Sequence, residues 1–181
     1  MKKVFAIGAL AAVLTACGTT TGANAKTTYS GFDDAAIVTI DPHGNACKGM
    51  VCTGIGAQWQ EAYPDSVLLS VKVWNDTVGI VGAALNIDGE IVELEEARAS
   101  TQFEDLSRNA NVGVFLESST QAFIAPYEIV DQIVGAQRVW LRVSTTGGSL
   151  EDAVIDGERD SKAYNALKRF SGQVAAAKAK D

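Results

Sequence analysis

The stretch that most restricts the fold is VGAALNIDGEIVELEE, residues 81–96. Asp88-Gly89 is a two-residue turn of the kind that requires positive φ angles, which Gly tolerates without cost from a Cβ. Folding the chain there sets Leu85 opposite Val92 and Ala83 opposite Leu94. On the other face Ala84 meets Glu93 and Gly82 meets Glu95. One face is apolar and the other acidic, so a one-residue slip would bury carboxylates and expose the apolar set. The segment therefore predicts an antiparallel hairpin with one face on a core and one in water. Glu90, Glu93, Glu95 and Glu96 alternate with Ile91, Val92 and Leu94. They read as a solvated strand face in preference to a calcium site.

The same period of two recurs elsewhere. Ser66–Trp74 places Val67, Leu69, Val71 and Val73 on one face, and Asn75-Asp76 follows as a turn. Arg138–Thr145 places Val139, Leu141 and Val143 inward and Arg138, Trp140 and Arg142 outward. Ala36–Ile40, Val112–Ser118 and Leu150–Asp156 are further strand candidates, the first ending at Asp41-Pro42. Two stretches carry helical spacing instead. After Pro126, a residue suited to a first helical turn, Ile129, Val130, Ile133 and Val134 recur before a stop at Gly135. At the end of the chain Ala163, Leu167, Phe170 and Val174 form one stripe, with lysines late in the helix where they complement its dipole. Strands joined by short turns, with two helices late, predict an α+β fold: an antiparallel sheet or small sandwich with both helices packed on it.

The amino end is read apart from the fold. Met1-Lys2-Lys3 is a short positive segment, and Val4–Leu14 is an apolar run well short of the ~20 residues that span a bilayer. It ends in Leu14-Thr15-Ala16-Cys17, which resembles the lipobox of bacterial lipoproteins. The resemblance covers only the leader and its cysteine. It implies a signal peptide over residues 1–16, cleavage before Cys17 and fatty acylation of that residue. A small-residue exit at Ala23-Asn24-Ala25 is the alternative, farther from the apolar run. Several acyl chains on one cysteine hold a protein stably at a membrane, where one chain does so only marginally. Gly18 stands where an Asp commonly retains such proteins at the inner membrane, so the resemblance favours the outer one. Residues 17–30, rich in Thr, Gly and Ala, read as a flexible tether, with a single globular domain over 31–181.

With Cys17 set aside, two cysteines remain, Cys47 and Cys52, in the ring ACKGMVC. In an exported protein they are expected to form a disulfide, with Gly49 easing the tight loop. A metal site using both thiolates with His43 and Asp41 is the alternative. Its weakness is that the spacing departs from the usual C-x2-C knuckle, and His43 is the only histidine.

Net charge is −7, and removal of Lys2 and Lys3 makes the mature chain more acidic. Such a body repels phosphate backbones, which argues against nucleic acid as a partner. The chain carries no G-x-S-x-G elbow, H-E-x-x-H, P-loop or dinucleotide fingerprint. No cofactor is expected, and no catalytic residue is assigned. Two features could form a binding surface: the row Arg138, Trp140 and Arg142, and Trp59 in GIGAQWQEAY. The plainer expectation for the row is that a helix covers it and Trp140 is core; Trp59 fits a contact loop and a core plug equally. These readings predict a lipid-anchored envelope lipoprotein acting as a non-enzymatic binding or accessory domain on the periplasmic face of a membrane, with a protein or cell-envelope partner. The alternative is a periplasmic hydrolase using acidic residues or His43.

Overall fold

Alternation along Ser66–Trp74 and around Asp88-Gly89 is realised in a computed structural model, which describes residues 24–98, 100–105, 117–158 and 160–179. In chain order the strands are β1 (Lys26–Tyr29), β2 (Ala36–Gly44), β3 (Cys52–Gln60), β4 (Ser66–Trp74), β5 (Ile80–Ile87), β6 (Glu90–Glu96), β7 (Gln102–Asp105) and β8 (Glu117–Pro126). Helix α1 (Glu128–Gly135), strands β9 (Val139–Thr145) and β10 (Gly148–Ile155), and helix α2 (Lys162–Lys178) complete the fold. The architecture is α+β. Every strand pairing is antiparallel, in the order β1-β2-β3-β4-β8-β6-β5-β9-β10, with β7 also on β8.

The hairpin of β5 and β6 has the expected register: Leu85 opposite Val92, Ala83 opposite Leu94, Ala84 opposite Glu93. Asp88 and Gly89 adopt φ of 50° and 102°, the positive values that such a turn demands.

Strand β8 joins the two halves of the sheet. It pairs along its length with β4, and near its end Ile124 and Phe123 face Glu95 and Glu96 of β6. The last strand, β10, then meets the start of β3. The Ala46 N–H donates to the Ala153 carbonyl at 2.8 Å. The Asp152 carboxylate accepts from the backbone N–H and the hydroxyl of Thr53, each at 2.8 Å. The sheet thus doubles back on itself, and both halves direct apolar side chains into one connected core. Val38, Ile55, Leu69, Val71, Leu85, Leu141 and Val143 are fully buried there.

Helix α2 lies against β2 and β3, and α1 against α2. The Ser161 hydroxyl caps α2 by accepting from the Tyr164 N–H at 3.0 Å, a device that satisfies one of the unpaired donors of a helix start. The Tyr164 hydroxyl donates to the Val134 carbonyl at 3.0 Å, joining the two helices. Burial raises the Tyr127 phenol above its ordinary pKa, with Ser171 and Asp131 as lesser influences. Among the described residues no helix is long and apolar enough to cross a membrane.

The structure departs from expectation at several places. Lys26–Tyr29, assigned to the tether, pairs with β2 through Lys26–Thr39 to Tyr29–Ala36. The folded part therefore includes residues placed in the tether. Strand β2 does not stop at Asp41-Pro42; it runs to Gly44 through an irregularity between Ile40 and His43. A bulge is where a strand accepts a residue without an N–H. Pro126 closes β8 and Tyr127 caps α1, so the helix begins at Glu128. Of the strand expected over Val112–Ser118, residues 112–116 lie outside the described residues, and Glu117 and Ser118 begin β8.

The stretch around Trp59, which from sequence fits a contact loop and a core plug equally, is strand β3, with Trp59 in the core. Its glycines are demanded by packing. A Cβ on Gly54 would collide with the Trp74 ring and the His43 carbonyl. One on Gly56 would sit 2.6 Å from the Ile40 carbonyl oxygen and the Pro42 nitrogen.

Candidate functional site

Strand β9 alternates as its sequence demands. Val139, Leu141 and Val143 are buried, which turns Trp140 and Arg142 to the opposite face, with Arg138 just before the strand. The helices pack elsewhere: α2 covers β2 and β3 on the core side. The expectation that a helix covers this row with Trp140 in the core is therefore corrected. Arg138 and Arg142 are exposed and Trp140 is half-buried.

These three residues line a groove of about 840 Å³ across the outer face of β5, β9 and β10, together with Asn86, Asp88 and Glu151. Register explains its shape. Trp140 lies beside Asn86 on one flank and Ala153 on the other, while Arg142 lies between Ala84 and Glu151. The small Ala84 leaves the floor low beside the long Arg142 of β9.

The rim is held in place. The Asp88 carboxylate accepts from the backbone N–H groups of Gln137 at 3.1 Å and Arg138 at 2.8 Å. The Asp88 N–H in turn donates to the Arg138 carbonyl at 2.8 Å. Asn86 Oδ1 accepts from the Gly89 N–H at 2.9 Å. Arg142 Nε and Glu151 Oε1 form an ion pair at 2.6 Å, with both side chains about half exposed.

Once these bonds are made, two donors are left over. Trp140 Nε1 is shielded from water and has no acceptor. Arg138 has no ion-pair partner among the described residues. A shielded donor without an acceptor is uncommon in native structures and calls for a reason. Ile91, 60% exposed, adds an apolar wall.

The other anticipated residues fall apart from the groove. Trp59 is not part of a surface: it is 1% exposed, points into the core, and its Nε1–H donates to the Pro64 carbonyl at 3.0 Å. The Lys178 ammonium stands 5.5 Å from the centre of the Trp59 ring and 4.3 Å from that of Tyr127. Cys47 and Cys52 form a disulfide, which consumes the thiolates that the metal alternative required. The Met50 carbonyl inside that ring accepts from Asn75 Nδ2 at 2.7 Å. His43 Nδ1 lies 2.6 Å from the Asp41 carbonyl. Among the described residues, no group of three or more His, Cys, Asp and Glu could share a metal ion. Cys17 lies outside the described residues.

Sequence reasoning did not single out Asn86, Asp88 and Glu151 for the groove, or Asp152 for the junction. Asp88 was read only as a turn residue. Its second task, gripping the start of β9, depends on β5 and β9 being neighbours, which no local pattern reveals. Comparison with known protein families, with curated proteins and with solved structures gives no significant match in any of the three, so the groove's chemistry must be argued from its own residues.

Proposed function

We propose that the protein is a bacterial envelope lipoprotein, anchored through acylated Cys17 to the periplasmic face of a membrane, the outer in preference to the inner. Its folded part is a non-enzymatic binding or accessory domain that receives a protein or cell-envelope partner in the β5–β9–β10 groove. The observation that carries the binding role is the open outer face of β9, where Trp140 stands between Arg138 and Arg142. The anchor rests on the lipobox resemblance of Leu14–Cys17. Residues 18–25, between Cys17 and β1, span at most about 30 Å even if fully extended, so the partner would lie close to the membrane. The hydrolase alternative gains no support. His43 does not line this groove, and the groove's own carboxylates are engaged, Asp88 with backbone N–H groups and Glu151 with Arg142.

The test is envelope fractionation with crosslinking of three chains: wild type, Cys17→Ala, and the double variant Arg138→Glu/Trp140→Ala. Cys17→Ala is expected to leave the membrane fraction. The double variant is expected to stay there but lose the wild-type crosslinks. A membrane-bound Cys17→Ala chain would refute the anchor, and an unchanged crosslink pattern in the double variant would refute the groove.

A further inference from the structure

We infer that the occupant of the groove is a saccharide carrying a carboxylate; this rests on the binding role just proposed and names its ligand class. Three observations point to it. The first is size: about 840 Å³ lies within the range of sites that take small molecules or a few sugar units, whereas a protein partner generally needs a far broader contact. The second is the state of the backbone. Strand β5 is paired with β6 and β9, and β9 with β5 and β10. The main-chain groups of these two central strands are therefore spent, and a peptide cannot add to β5 or β9 as peptides do at sheet edges. An occupant must be read by side chains alone. Those present are a flat apolar ring, Trp140, ringed by planar polar groups of Asn86, Arg138, Arg142 and Glu151. This combination suits the apolar face and the hydroxyl rim of a pyranose.

The third observation is charge. The lining charges of Asp88, Arg138, Arg142 and Glu151 sum to zero; Glu151 is paired with Arg142, and the Asp88 carboxylate is turned to the backbone N–H groups of Gln137 and Arg138 rather than to a guanidinium. What remains is the exposed Arg138 guanidinium, which has no ion-pair partner among the described residues, beside the Trp140 ring. A carboxylate supplies acceptors to this guanidinium through charge-assisted bonds.

The experiment follows the indole N–H resonances of the 15N-labelled mature chain during titration with N-acetylmuramic acid. N-acetylglucosamine, which lacks the lactyl carboxylate, is titrated in parallel, as is a glutamate-rich peptide. Trp140→Phe assigns the Trp140 resonance while keeping a ring in place. The Trp59 resonance, from a core indole bonded to Pro64, reports that each variant is folded. N-acetylmuramic acid is expected to move the Trp140 signal and leave that of Trp59 in place. The neutral sugar should bind about tenfold more weakly or less, and Arg138→Gln should weaken the acidic sugar by about tenfold.

Equal response to both sugars, response to the peptide alone, or no response would each overturn the inference. If the sugars fail while the double variant still loses its envelope crosslinks, the ligand class is wrong and the binding role survives. If those crosslinks persist, the binding role itself fails.

Discussion

Trp59 and Trp140 sit on strands of the same sheet, and from sequence each was a candidate for a contact surface or for the core. Their environments are opposite. Trp59 faces the core, is 1% exposed and has its N–H bonded to the Pro64 carbonyl. Trp140 faces outward, half-buried, with its N–H unmatched. The difference lies in parity. Trp59 shares its face with Ile55 and Ala57, whereas Trp140 falls between Val139 and Leu141. A tryptophan in a sheet thus takes its role from the side on which the neighbouring apolar residues fall, and from which side the helices cover.

The comparison is broken most directly by truncating each ring. Trp59→Ala should cost about 3–5 kcal/mol, as large-to-small changes in a packed core do. Trp140→Ala should cost no more than about 1 kcal/mol, since no packed core closes over it. Urea unfolding of the two variants measures both, and equal losses would show that the outer face is as integral to the fold as the inner one.

A smaller effect separates the glycines beneath these faces. Gly54→Ala drives a methyl into the Trp74 ring and the His43 carbonyl, an overpacking that typically costs about 1–3 kcal/mol. Gly82→Ala on β5 meets only the Ser144 Cβ at 3.8 Å, an ordinary contact, and should change stability by no more than about 0.5 kcal/mol. Thermal unfolding of the pair, side by side, sharpens the contrast between a strand sealed on both faces and one open on its outer face.

The smallest effect belongs to the groove's rim. Arg142 and Glu151 are each about half exposed, and pairs of this kind contribute about 0.2–1 kcal/mol in dilute salt. Glu151→Gln should lower stability within that range, and added salt should erase the difference from wild type. A larger, salt-independent loss would mean that the groove's wall is structural.

Legibility followed the physics of alternation. β4, the β5–β6 hairpin and β9 were readable because each has one wet face and one dry face, and α2 because its stripe repeats at helical spacing. β3 was not, because Thr53 through Ala57 are all buried. A strand covered on both sides loses its period, and Gly54 and Gly56 then look like loop residues. β1 was missed for the opposite reason: Lys-Thr-Thr-Tyr at a sheet edge has little apolar content to signal a strand. At the groove, Arg138, Trp140 and Arg142 were correctly placed outward by parity. That the face stays open was hidden, because it depends on where α2 lands, and that contact spans most of the chain.

The junction between Thr53 and Asp152 sets the timing of folding. The two residues are 99 positions apart, and α2, which covers β2 and β3, follows later still. A chain growing from its amino end must therefore hold its first three strands half-clad until nearly the last helix has been made. Long-range closures of this sort are slow and leave apolar edges exposed to aggregation meanwhile. A ribosome that stopped short of β10 would release a shell with no latch.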